Sequence, residues 1–188
     1  MKNCRNIILA AAVLVAASSC SDKVQIKGTI AGAPDTQVVV KQLNGGALVA
    51  LDTVKTDGKG AYSYSVEVLK GQPQFIYLYK GDTKVASLLL QKGDKVKVAS
   101  DTLGKYSVEG SAESELLRQV EEDFAAFLDK FTADAARGDN AAASKDYIDY
   151  YKGRVKFIME NAKSLTAIPV LYQKINDNFP VFSQATDA

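Results

Sequence analysis

The hydrophobic period changes once along this chain, at Gly110-Ser111, and that change limits the folds open to it. Before it, apolar residues alternate in short runs; after it, they recur at spacings of three and four. From Lys23 to about Glu109 the runs are KVQIKGTI, TQVVVKQL, ALVALDTV, AYSYSVEV, QFIYLYK, KVASLLLQ, KVKVAS and KYSVEG. Turn signals separate them, among them Pro34-Asp35, Asn44-Gly45-Gly46, Asp57-Gly58, Gly81-Asp82 and Gly93-Asp94. In AYSYSVEV the alternation sets Tyr62, Tyr64, Val66 and Val68 on one face, with Ser and Glu opposite. About eight short strands at such spacing predict an antiparallel β-sandwich or a barrel-like domain.

Beyond Gly110 the stripe Leu116, Leu117, Val120, Phe124, Phe127, Leu128 and Phe131 predicts a helix. Ser111 is its cap, and Glu113 and Glu115 suit its positive N-terminus. Gly138-Asp139-Asn140 breaks it. A second helix is predicted from about Ala141 to Ala162, with Tyr147, Ile148, Tyr151, Val155, Ile158 and Met159 as its face. The short link makes the pair a helical hairpin. TAIPVLYQKI starts a third helix, with Pro169 in its first turn, where a missing N–H does no harm. The fold class is therefore α+β. The expected segments are a β domain over 20–110, a helical segment over 111–180 and a tail or truncated end over 181–188.

The N-terminus carries an address. Lys2 and Arg5 precede an unbroken apolar run from Ile7 to Ala17, and then Ala17-Ser18-Ser19 lead into Cys20. This is the pattern of a signal peptide over 1–19, and the run is shorter than the roughly 20 residues that cross a bilayer as a helix. Small residues directly before a cysteine resemble the lipobox of bacterial lipoproteins, with Ala17 where leucine is typical. That resemblance implies lipidation at Cys20, a membrane partner through the lipid anchor, and a cell-envelope location, with the outer membrane expected. The stretch after Cys20 has no acid-rich tract of the kind that resembles a surface-export signal, which favours the periplasmic side.

Composition narrows the chemistry. The chain has two cysteines, Cys4 and Cys20, and no histidine. Cleavage removes the first and lipidation consumes the second thiol, which leaves no Cys-x-x-Cys centre. Without histidine there is no Ser-His-Asp triad and no usual zinc site. Of 23 basic and 22 acidic side chains, two basic ones leave with the signal, so the mature charge is near zero and gives no hint of nucleic acid as partner. No cofactor is expected, and the chain reads as a non-enzyme unless it is part of a longer one.

Four constellations are candidates for chemistry. DTVKTDGKGAY fails as a calcium loop, because Thr53 and Lys55 fall at ligand positions and Tyr64 replaces the closing glutamate; a hairpin turn is expected instead. Tyr62, Tyr64, Tyr77 and Tyr79 form a possible binding surface for a sugar or peptide, although aromatic residues on a β face more often fill a core. Glu121, Glu122 and Asp123 are consecutive in a helix, so they fan around its axis as a solvated face rather than converge. Glu67 and Glu109 have nothing in the sequence that joins them as an acid–base pair.

The order of KGTI, LDTVKTDGKGAYSYS, LLLQKGDKVKV and VEGSAESELLRQVEEDF resembles the uncharacterised N-terminal domain of thioredoxin-like lipoproteins of the ResA/TlpA kind. FIMENAKS is similar to a later step of that family, with Ala162 where proline is common. In fuller relatives a thioredoxin domain with the Cys-x-x-Cys centre follows; none of its catalytic residues has a matching position here. The resemblance implies a non-catalytic binding or docking module of a thiol–disulfide lipoprotein system, with an envelope protein or a thioredoxin-like domain as partner. The alternatives are the N-terminal part of a longer thiol–disulfide oxidoreductase and a glycan- or peptide-binding surface lipoprotein.

Overall fold

The structure is a computed structural model that describes residues 22–182. The signal segment, Cys20 and the last six residues lie outside the described residues. Eight strands come first: β1 (Lys23–Ile30), β2 (Gln37–Asn44), β3 (Ala47–Lys55), β4 (Ala61–Glu67), β5 (Gln74–Lys80), β6 (Thr83–Leu90), β7 (Lys95–Ser100) and β8 (Tyr106–Glu109). Then follow α1 (Ala112–Ala136), α2 (Asn140–Glu160), α3 (Ala167–Leu171) and a short hairpin, β9 (Lys174–Asn176) with β10 (Phe179–Pro180). The fold class is α+β, as the change of period indicates.

The strands form two four-stranded sheets, β4-β1-β7-β8 and β3-β2-β5-β6. They are the two layers of a sandwich, not a closed barrel. The alternation fixes which side chains enter it. Val24, Ile26 and Ile30 of β1 are buried, as are Val38 and Val40 of β2, Ile76 and Leu78 of β5, and Val96 and Val98 of β7. These residues belong to one core cluster. One pairing departs from the all-antiparallel expectation: β1 and β7 run parallel, with Lys27 beside Lys97 and Gly28 beside Val98. A parallel pair needs a long crossover, and here the whole second sheet lies in that crossover.

Two turn expectations resolve differently. Gly45 and Gly46 both have positive φ and join β2 to β3 as a two-residue hairpin. The Asp57-Gly58 turn is not a hairpin, because β3 and β4 lie in different sheets. It carries the chain from one layer to the other. Asp57 Oδ1 accepts from the Lys59 and Ala61 amides at 2.8 and 2.9 Å. Those bonds hold its carboxyl below the usual carboxylate range, so the side chain is a turn cap rather than a metal ligand.

Helix α1 is capped by Ser111, as expected, and packs on β6 and β8. It turns back into α2, and three contacts fix the direction. Arg154 bonds Asp123 at 3.0 Å, the Tyr150 ring stacks on Phe127 at 4.2 Å between centroids, and Lys130 pairs with Asp146. Partner numbers fall on one helix as they rise on the other, so the hairpin is antiparallel. The expected face of α2 is only partly right: Ile148, Tyr151 and Met159 are exposed, while Ala143 and Asp146 are buried. Residues 174–180 are a strand pair rather than part of a helical segment. Phe179 stacks on Tyr147, and the Tyr147 hydroxyl donates to the Val181 carbonyl at 2.8 Å.

Candidate functional site

The sandwich divides the four candidate tyrosines between its layers. Tyr62 and Tyr64 point inward from β4. Tyr62 is 6% exposed and belongs to the core cluster, and Tyr64 is half-buried against it. The Tyr62 ring crosses over Gly28, its partner on β1. A Cβ built on Gly28 would lie 2.0 Å from Tyr62 Cζ. The Tyr62 hydroxyl has no hydrogen-bond partner among the described residues. Alternation could have assigned Tyr62 to the core, since it shares a face with Val66 and Val68.

Tyr77 and Tyr79 lie on the other layer and point outward, because Ile76 and Leu78 of the same strand take the core positions. Lys41 from the neighbouring strand sits over the Tyr79 ring at 4.2 Å, and Lys84 lies 5.9 Å from the Tyr77 ring. These are cation–π geometries. The two rings and two ammonium groups form an aromatic, cationic strip on the outer face, bounded on one side by α1.

At that boundary sits a group whose role the sequence does not reveal. Glu121 accepts from Lys84 Nζ at 2.6 Å, Ser87 Oγ at 2.7 Å and the Tyr106 hydroxyl at 2.9 Å. The three acidic residues do fan apart as expected, but Glu121 docks on the sheet while Glu122 pairs with Arg118 and Asp123 with Arg154. Its partners come from β6 and β8, so this one carboxylate joins the helix to both layers. Glu67 and Glu109 stay apart, on the opposite edge strands of the first sheet.

A second helix–sheet joint lies two turns earlier, at Ser114. The Leu89 amide donates to Ser114 Oγ at 3.1 Å, and that hydroxyl donates back to the Leu89 carbonyl at 3.1 Å. Ser111 Oγ supports it with a 2.8 Å bond to Ser114 Oγ. Ser114 thus fills the place of a neighbouring strand along the outer edge of β6.

The remaining cavity of note is an open cleft of about 760 Å³ at the first sheet, lined by Lys27, Gly28, Lys55, Tyr62, Ser63 and Lys97 among others. Lys55 is paired with Asp35 at 3.2 Å. Among the described residues no cluster of Asp, Glu, His or Cys could hold a metal ion. No helix of the described residues is long and apolar enough to cross a membrane.

The buried tyrosines make alkaline stability a readout of these joints. Burial pushes the Tyr62 hydroxyl well above its ordinary value near 10. Burial, then the charge of Glu121, does the same to Tyr106. Tyr150 is pushed up to about 12, chiefly by burial. The folded chain keeps these protons where the unfolded chain releases them. Stability is therefore intact below the unfolded value and falls as pH rises past it towards the folded values. Tyr62 and Tyr106 should each add a slope of about 1.4 kcal/mol per pH unit there. Urea unfolding on either side of the ordinary tyrosine value measures it, and an unchanged midpoint would contradict this burial.

The fold and site define a class: a two-layer β-sandwich tied to a helical hairpin by internal polar joints. Residues 24–117, half of the 188-residue chain, match the family model of the domain of unknown function DUF4369. The chain belongs to that family, whose match runs from β1 into the first turns of α1. No curated protein matches the chain.

Proposed function

We propose that this chain is a non-catalytic binding or docking module, held at a bacterial envelope membrane through a lipid on Cys20. One observation carries the binding reading. The half-buried and buried polar groups between the layers, Glu121, Ser111 and Ser114, are occupied in joining helix to sheet. The groups turned outward on the same layer, Tyr77, Tyr79 and Lys41, suit contact rather than bond-making. The sequence pattern around Cys20 and the order of motifs support a place in a thiol–disulfide lipoprotein system, with a thioredoxin-like domain as partner or as the continuation of a longer product. The periplasmic side of the outer membrane is the favoured location.

Metabolic labelling with a fatty acid tests the anchor: the full chain should take up label, and Cys20→Ser should abolish it. Label that survives the substitution would refute the anchor. Reduction of insulin disulfides by the purified chain alone would refute the non-catalytic reading.

A second reading has its own support in the strip of Tyr77 and Tyr79, which fits a glycan or peptide ligand. Glycan and peptide arrays probed with the full chain would show binding that Tyr77→Ala weakens, and silence against both classes would remove this reading.

A further inference from the structure

The four outer edges of the sandwich are not treated alike. β6 has its edge groups taken by Ser114 under α1, and β8 is short and also packs against α1. β4 carries Ser63, Ser65 and Glu67 on its exposed side. β3 is different. It ends its sheet with no strand beyond it among the described residues, and every residue from Ala47 to Thr53 is exposed. Leu48, Val49 and Leu51 are 44%, 46% and 40% exposed, and Leu43 lies opposite Leu48 on β2. An apolar edge strand with open backbone groups is a template for another strand.

The strand itself indicates which one. Asp52 Oδ1 takes the Thr53 amide at 2.7 Å, beside the bulge at Leu51, between Ala50 opposite Lys41 and Asp52 opposite Val40. That cap closes the edge at one end, and the Gly45-Gly46 turn closes it at the other. The open stretch is therefore Ala47-Leu48-Val49-Ala50-Leu51. Paired antiparallel with its own copy about Val49, it sets each leucine opposite an alanine and Val49 opposite Val49. Asp52 then faces Gly46, so no like charges are directly opposed.

We propose that β3 pairs with β3 of a second copy of this chain across a two-fold axis at Val49. The outer sheets of the two copies become one continuous sheet, an isologous contact of the kind that closes on itself. The inference does not depend on the lipid anchor.

The test is sedimentation of the full chain with oxidative cross-linking of single-cysteine additions. Opposed residues of an antiparallel pair have Cα atoms about 4.5–5.5 Å apart, within disulfide range. Val49→Cys should give a disulfide-linked dimer above the background of Cys4 and Cys20 in the unsubstituted chain. Leu51→Cys should not, since its copies are offset by four residues, more than about 13 Å. Val49→Lys should weaken the dimer about a hundredfold, because like charges meet at the axis, and leave the thermal midpoint of the monomer unchanged. A chain that is monomeric at micromolar concentration overturns the proposal. A dimer that survives Val49→Lys, or equal cross-linking at positions 49 and 51, overturns it too.

Discussion

Gly28→Ala is expected to destabilise the chain by about 3 kcal/mol, far more than one methyl group in a strand suggests. The added carbon would lie 2.0 Å from Tyr62 Cζ and 2.2 Å from its hydroxyl oxygen. Gly28 is not needed for a special backbone angle; it is needed because the ring lies across it. The ring is buried within the sandwich, and its Cζ and hydroxyl end must shift to admit the carbon. Tyr62→Phe should have the opposite sign and stabilise by about 1 kcal/mol, since it removes a buried hydroxyl that has no partner among the described residues. With Tyr62→Ala in place, Gly28→Ala should cost little, and a cycle of the four chains by urea unfolding measures that coupling. Additive effects would mean that the two residues do not share the space.

Ser114→Ala should cost about 2 kcal/mol, from a buried backbone amide left unpaired and a carbonyl left with only the longer bond from Ser111 Oγ. The substituted helix former is not itself unfavourable, so propensity gives the wrong sign for the effect. The loss arises at Leu89, whose amide relies on that hydroxyl and whose carbonyl shares it with Ser111 Oγ at 3.3 Å. Hydrogen exchange at the Leu89 amide should speed up with the drop in unfolding midpoint. A loss below about 1 kcal/mol would show that water fills the place of the hydroxyl.

The sandwich was legible because its strands are half-buried on one face, so alternation and turn residues carry the information. KVQIKGTI shows this: every second residue, Val24, Ile26, Gly28 and Ile30, is buried. The parallel pairing of β1 with β7 was not legible, since local alternation is the same in either direction. β6 also hid its role, because a strand covered on both faces reads as a nearly continuous apolar run from Val85 to Leu90, interrupted at Ser87. On the helices, the α1 stripe was clear, whereas α2 buries Asp146 and exposes Ile148. Its packing is made by an ion pair with Lys130 and by stacked rings, which hydrophobic period does not encode. The tyrosines could be placed on faces, but which face was inner depended on the layer, and the sequence does not state the layer. Glu121 was the least legible, since its partners lie 15 to 37 residues away on two other elements.

The position of β1 has a mechanical consequence. The first strand is an inner one, held by β4 on one side and β7 on the other, and only Ser21 and Asp22 separate it from Cys20. A pull applied at the N-terminus acts along the axis of β1. Both ladders are then loaded in shear, and their bonds must give way together. A strand at the sheet margin, pulled sideways, would instead unzip one bond at a time. If the chain is tethered at Cys20, the tether enters the sandwich at a place built to resist tension.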